Sequence, residues 1–260
     1  MKSHNYKDRK KDMKQKKSHI IVPEGCRRVL VHACCAPCSS AIIEWMLAHG
    51  IEPVIYYYNP NIYPQEEYEK RRDESRRHAE SLGVEWIEDL SPALSQGEEE
   101  TNDKLRKLRS NNRSSESEIR ITDYESAHQE WLKAVRGLER EPERGRRCEA
   151  CFYHRLQATA RKAEELGIEF FATTLASSRW KNLEQVNTAG LKAMNDVQRD
   201  NVQCTKDNVQ CTKVQFWAQN WRKDGLQDRR NALLKEFGFY NQQYCGCEFS
   251  IRKECVKNRS

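Results

Sequence analysis

The sequence predicts an α/β fold: a mostly parallel sheet with helices on both faces, doubly wound, in one domain with flexible insertions. Two observations carry that expectation. Short apolar runs rich in β-branched and aromatic residues alternate with longer stretches of helical period, the pattern of strand–helix–strand units. Reactive side chains stand directly after the first apolar run, where open α/β sheets hold their sites.

Val29–Ala33 is the first strand and breaks at Cys34-Cys35-Ala36-Pro37-Cys38. Ser39 and Ser40 open the helix that follows, Ile42, Ile43, Met46 and Leu47 form its apolar stripe, and Gly50 ends it. Pro53–Tyr58 is a second strand, closed by Asn59-Pro60-Asn61-Ile62-Tyr63-Pro64. A charged helix over about 65–82 stops at Gly83, and Val84–Ile87 is a third strand. Residues 92–119 hold few apolar side chains among Ser, Asn, Glu, Lys and Arg, and predict a flexible insertion. Helices follow over about 122–137 and from Cys148 to Leu166, then a strand at Ile168–Ala172 and a helix over about 182–194.

The heptapeptide DNVQCTK occurs twice in tandem, Asp200–Lys206 and Asp207–Lys213. One duplication this short is no solenoid unit, so 197–213 is expected to be an expanded loop. Val214–Trp217 resumes order, followed by a helix over about 226–237 and a tail containing Tyr244-Cys245-Gly246-Cys247. The division predicted is a basic flexible tail over 1–19 and a single domain over 20–255.

Of the 260 residues, 37% are hydrophobic and 32% charged, and the net charge is +6. The first 17 residues hold eight Lys/Arg against two Asp and account for all of it; the other 37 basic and 37 acidic residues cancel. Any attraction to nucleic acid in the body must therefore come from a local patch, with the tail as a sequence-independent supplement. No apolar run is long enough for a membrane span, and no apolar segment follows the basic start. A cytoplasmic chain is expected. In that reducing compartment eleven cysteines, an odd number, indicate metal ligation or redox chemistry rather than structural disulfides.

Seven of the eleven form patterns: Cys34, Cys35 and Cys38; the C-x-x-C pair Cys148 and Cys151 opening a helix; and the C-x-C pair Cys245 and Cys247. A helix N-terminus favours thiolates. Structural zinc would accept Cys35/Cys38 with Cys148/Cys151. A cubane cluster offers separate iron corners, which suits the adjacent Cys34 and Cys35. Spacing alone leaves both open. Cys26, Cys204, Cys211 and Cys255 have no partner pattern and are expected to be unreactive.

Several motifs in register resemble the QueH-type, cobalamin-independent epoxyqueuosine reductases. They are Cys34-Cys35-Ala36-Pro37-Cys38-Ser39; Tyr57–Pro64 with Glu67, Tyr68 and Arg71; Gly137-Leu138-Glu139; Arg147-Cys148 with Cys151-Phe152; Thr173-Thr174-Leu175; and Tyr244-Cys245-Gly246-Cys247. The resemblance covers about 29–250. It implies a nucleotide-hydrolase-like fold and reduction of the epoxide of epoxyqueuosine to queuosine at the wobble position of tRNA, with an electron donor supplied from outside. It implies a [4Fe–4S] cluster on Cys34, Cys35, Cys148 and Cys151 and a redox-active pair at Cys245 and Cys247. It also implies a second, mononuclear iron, for which Cys38, Cys245 and Cys247 are candidate ligands. Ser178-Arg179-Trp180-Lys181 departs from the family, in which a Pro-His pair precedes the Lys.

Two other classes share parts of this pattern. A cluster-dependent tRNA sulfurtransferase needs a Gly-rich phosphate loop after the first strand, and Cys34–Ser40 contains no glycine. A zinc-stabilised nucleic-acid-binding module would need no redox pair. Tyr57, Tyr58, Asn59 and Tyr63 can face a substrate base or simply fill the core. Arg71, Arg72, Arg76 and Arg77, interleaved with acidic residues, are expected to form a solvated helix face.

Overall fold

In the computed structural model of the chain, residues 19–90, 116–204 and 213–251 are described. All of the basic tail but His19, most of the first insertion and all of the second heptapeptide copy but Lys213 lie outside them. Five strands form one parallel sheet in the order β3-β2-β1-β4-β5: β1 (Arg28–His32), β2 (Glu52–Tyr57), β3 (Trp86–Glu88), β4 (Phe170–Thr173) and β5 (Gln215–Phe216). The predicted α/β fold is observed.

The order of β1, β2 and β3 takes the chain across one half of the sheet, through α1 (Ala36–Ala48) and α2 (Gln65–Ser81). It then crosses back through α3 (Glu116–Ala134) and α4 (Arg146–Glu165) to β4, and through α5 (Leu183–Cys204) to β5. Right-handed crossovers place helices of the two directions on opposite faces. Accordingly α1 packs on α2 and on α6 (Leu226–Glu236), whereas α4 packs on α3 and α5. The central strand β1 is apolar and buried from Val29 to Val31, as a strand covered on both sides must be.

The direction of winding reverses between β1 and β4, which are hydrogen-bonded neighbours. A crevice opens at the carboxyl ends of strands at such a switch point. Cys34 and Cys35 follow β1 there, and Thr174 follows β4.

The helix α5 differs from the expected boundary. It continues to Cys204 rather than stopping near residue 194, so the first heptapeptide copy begins inside it. The apolar period explains the extension: Val186, Ala189, Ala193 and Val197 are buried along one face. Gly190 on that face admits the ring of Phe216 from β5; a Cβ there would lie 2.3 Å from Phe216 Cε1. Likewise α3 begins at Glu116, inside the predicted insertion.

The α2 arginines also depart from expectation. Arg71 and Arg72 are buried, and Glu67 is only 4% exposed. The interleaved charges hid an inward face because each inward charge has a partner: Arg71 pairs with Glu67 at 2.6 Å, and Arg72 bonds Asp73 at 2.7 Å.

Candidate metal centre

Cys35 caps the N-terminus of α1 in an extended conformation, with Pro37 in the first turn. Proline costs nothing there, because first-turn N–H groups have no helical partner. The cap turns the chain so that the sulfur atoms of Cys34, Cys35 and Cys38 all lie within 4.8 Å of one another, with 3.9 Å between the first two. All three are buried. Thr174 holds the first from the neighbouring strand end: its hydroxyl accepts from the Cys34 N–H at 3.3 Å and lies 3.7 Å from the Cys34 sulfur. His32 is buried one turn of chain earlier, its Nδ1 2.9 Å from the Thr173 hydroxyl and its Nε2 3.2 Å from the Tyr58 carbonyl. Only an Nε2–H tautomer serves that carbonyl. Burial, and next the Arg155 charge, lower the His32 pKa to about 3, so it is neutral.

The three thiols share charge unequally. Hydrogen bonds from Cys35 and Cys38, then the charges of Lys181 and Arg155, hold Cys34 well below the ordinary thiol range against burial. Their bonds to Cys34 raise Cys35 strongly and Cys38 to about 11.

Cys148 and Cys151 open α4 and sit close enough to Cys245 and Cys247 to feel their charge. Burial raises Cys148, opposed by the Arg144 N–H that donates to its sulfur at 3.3 Å. Burial raises Cys151 too, opposed by Arg155 and by the Trp131 indole. Cys247 is buried beside Trp131, Val135 and Cys151, and burial pushes it up to about 11. Cys245 is partly exposed, and both thiols of the C-x-C pair are free. Among the described residues, Cys34, Cys35 and Cys38 form a tight group that does not take in Cys148, Cys151, Cys245 or Cys247; Cys151 and Cys247 share a separate buried cluster.

The bend between Cys245 and Cys247 is built in. Gly246 has φ +124°, and a Cβ on it would meet Arg71 Nη1 at 2.9 Å and Ile62 Cγ1 at 3.1 Å. Arg71 donates to the carbonyls of Cys245 and Tyr244 at 3.2 and 3.3 Å while paired with Glu67. The Gly246 carbonyl accepts from the Tyr63 N–H at 2.8 Å.

Two cations complete the centre. Lys181, in the loop after β4, has no carboxylate partner among the described residues. Burial works against its charge, but Cys245, Cys34 and Cys38 outweigh it and raise its pKa. Arg155 is 2% exposed, one turn beyond Cys151, and likewise has no carboxylate partner among the described residues. Its guanidinium donates to Asn59 Oδ1, and its Nε has no partner. A buried cation demands an anion. Among the described residues, the groups that hold the Lys181 charge are the sulfurs of Cys245, Cys34 and Cys38.

The sequence model of the epoxyqueuosine reductase QueH family matches residues 29–96 and 95–253, which include all seven patterned cysteines. The chain belongs to the epoxyqueuosine reductase QueH family. Epoxyqueuosine reductase QueH of Haemophilus influenzae is 34% identical over 233 residues, covering 90% of this chain and 75% of the relative. That of Acinetobacter baylyi is 32% identical over 240 residues, covering 92% and 88%. That of Thermotoga maritima is 32% identical over 232 residues, covering 88% and 93%. These relatives are named as oxidoreductases, in line with the reading from the motifs.

Of the aromatic loop residues, Tyr57 and Tyr58 are core, and Tyr63 is 42% exposed. Asn59 is a buried bridge, its Nδ2 donating to the Ala33 carbonyl at 2.9 Å. Arg155 was missed by sequence reasoning. Its signal was present: a charge at i+4 from Cys151, on the face that also carries Phe152, Leu156 and Thr159. Cys26 is buried at 7% exposure, as expected of a cysteine without a partner pattern. The side chains of Cys204, Cys211 and Cys255 lie outside the described residues. No helix among the described residues is long and apolar enough to cross a membrane.

Proposed function

We propose that this chain reduces the epoxide of epoxyqueuosine, carried at the wobble position of a tRNA, to the cyclopentene of queuosine. The observation that supports it most is the convergence of Cys34, Cys35 and Cys38 at the sheet's switch point in a chain of this family. Cys34, Cys35, Cys148 and Cys151 are the proposed holders of a [4Fe–4S] cluster. Cys38 is a proposed ligand of a second iron, with Cys245 and Cys247 either as its further ligands or as a redox pair that cycles between dithiol and disulfide.

The donor set fits such a group. The ligating atoms gathered are thiols, and the groups beside them suit sulfur acceptors: the Trp131 indole at Cys151, and the Arg155 charge at Cys34 and Cys151, with the Arg155 Nε left without a partner. Arg155 and Lys181 supply positive charge where bound sulfur would be anionic. When bound, the cluster supplies electrons one at a time and the second iron supplies Lewis acidity.

The chain's own residues account for the balance of the reaction. Removing the epoxide oxygen as water needs two electrons and two protons. Conversion of the Cys245–Cys247 dithiol to a disulfide releases both pairs. A disulfide across two residues closes a strained ring that is readily reduced, so an outside electron donor can restore the dithiol. Lys181 holds a positive charge beside Cys245, where negative charge develops on the leaving oxygen. Cytoplasmic reducing conditions suit the free thiols.

The test is expression in a bacterial host lacking its own epoxyqueuosine reductase, followed by nucleoside analysis of total tRNA. Queuosine replacing epoxyqueuosine is expected. Persistent epoxyqueuosine with soluble, iron-loaded protein would remove the assignment.

A further inference from the structure

The loop Ser178–Lys181 is fixed through its backbone and exposes its largest side chain. The Trp180 N–H donates to Ser178 Oγ at 3.3 Å, and Arg144 Nε donates to the Trp180 carbonyl at 2.8 Å. Arg222 donates to the carbonyls of Ser178 and Lys181 at 2.5 and 2.8 Å. Yet the Trp180 ring is 70% exposed, while the five other tryptophans are buried or half-buried. An ordered loop that presents a large aromatic ring to solvent gains nothing from burying it. Such a ring is suited to a partner's flat apolar face.

The charges around the ring narrow the partner. Arg179 stands 5.3 Å from the Trp180 ring centroid. Arg144, Arg179 and Arg222 have no carboxylate partner among the described residues, and Arg222 feels the repulsion of Arg144. Three unneutralised guanidinium groups about an exposed indole match a partner that alternates phosphates with aromatic bases, which is single-stranded nucleic acid. Arg144 also fixes the distance to the chemistry. It holds a left-handed backbone (φ 67°), which non-glycine residues seldom adopt. In that conformation its N–H reaches the Cys148 sulfur while its side chain reaches Trp180. Lys181, the next residue, faces Cys34, Cys38 and Cys245.

We propose that Trp180, with Arg144, Arg179 and Arg222, is the platform on which an unpaired base of the tRNA anticodon loop, adjacent to the nucleotide being reduced, stacks. This rests on the tRNA reading above and deepens it to a specificity-determining surface.

The test is binding of an unmodified anticodon stem-loop hairpin to the full chain, read by tryptophan fluorescence and by titration. A base stacked on an aromatic side chain is worth about 5- to 150-fold in affinity. Trp180→Ala should weaken hairpin binding within that range, with iron content and circular dichroism unchanged. Trp180→Phe should keep most of the affinity but lose most of the fluorescence quenching. A fully paired duplex should bind both proteins equally and weakly. Equal hairpin affinity in Trp180→Ala, or equal losses on hairpin and duplex, would overturn the platform. Full competition by polyglutamate would overturn it in favour of an acidic-peptide site. Because the hairpin carries no epoxide, its binding is read independently of the chemistry: Trp180-dependent hairpin binding by a chain that leaves epoxyqueuosine-bearing tRNA unreduced would leave the platform standing and remove the reductase reading instead.

Discussion

Arg155 donates to Asn59 Oδ1, and Asn59 donates in turn to the Ala33 carbonyl, so the helix carrying Cys148 and Cys151 is bonded to the chain one residue before Cys34. The segments carrying the two cysteine motifs are thereby tied together, by a guanidinium whose charge acts on both Cys34 and Cys151. Arg155→Met keeps volume and removes the charge. Bound iron and sulfide per chain should fall several-fold. The rise in unfolding midpoint on cluster reconstitution should also be smaller than in the wild type. Wild-type iron content together with a wild-type rise would contradict the role given to the charge.

Gly246→Ala should be poorly tolerated. Its Cβ would press on Arg71 and Ile62 at a φ that L residues seldom adopt. Strain and overpacking of this kind cost about 1–3 kcal/mol. Urea unfolding should show that loss, and a midpoint within error of the wild type would disprove the close approach.

Arg71→Met strands Glu67 in a buried site and releases two carbonyls of the C-x-C segment. Breaking one partner of a buried pair costs about 3–5 kcal/mol. Adding Glu67→Gln should recover part of the stability, since the orphaned charge is gone. A double variant no better than Arg71→Met alone would assign the cost to the lost carbonyl bonds.

His78 supplies a pH signature far from the thiols. It lies edge-on to Phe237 and Phe239, with neither ring nitrogen bonded. Burial, then Arg229 and Arg77, lower its pKa to about 4. Its pKa is lower folded than unfolded, so the unfolded chain binds the extra proton. The stability it contributes is full above about pH 6.5 and is lost as pH falls toward 4, at up to about 1.4 kcal/mol per pH unit. His78→Leu should flatten the stability profile between pH 6.5 and 4. An unchanged slope would place the acid sensitivity elsewhere.

The fold was legible because its strands are apolar and its helices amphipathic. Val29–Val31, Val54–Tyr57 and Phe170–Ala172 announced buried parallel strands, and the cysteines after β1 marked the switch point. The end of α5 was misjudged because polar residues of the heptapeptide masked the period that Val197 continues. Arg71, Arg72 and Arg155 were not recognised as interior, since composition does not reveal which charges will find partners inside. Lys181 could be named from its motif, but only the return of β4 beside β1 brings it to Cys34.

The most direct test is a single-turnover reaction of anaerobically reconstituted, reduced protein with tRNA bearing epoxyqueuosine, followed by mass spectrometry of its nucleosides. The nucleoside should lose one oxygen atom and become queuosine, and Cys245→Ser or Cys247→Ser should abolish the conversion while acid-labile sulfide, the measure of the cluster, stays within the wild-type range. Epoxyqueuosine recovered intact from fully loaded wild-type protein, or full conversion by both cysteine variants, would contradict the mechanism.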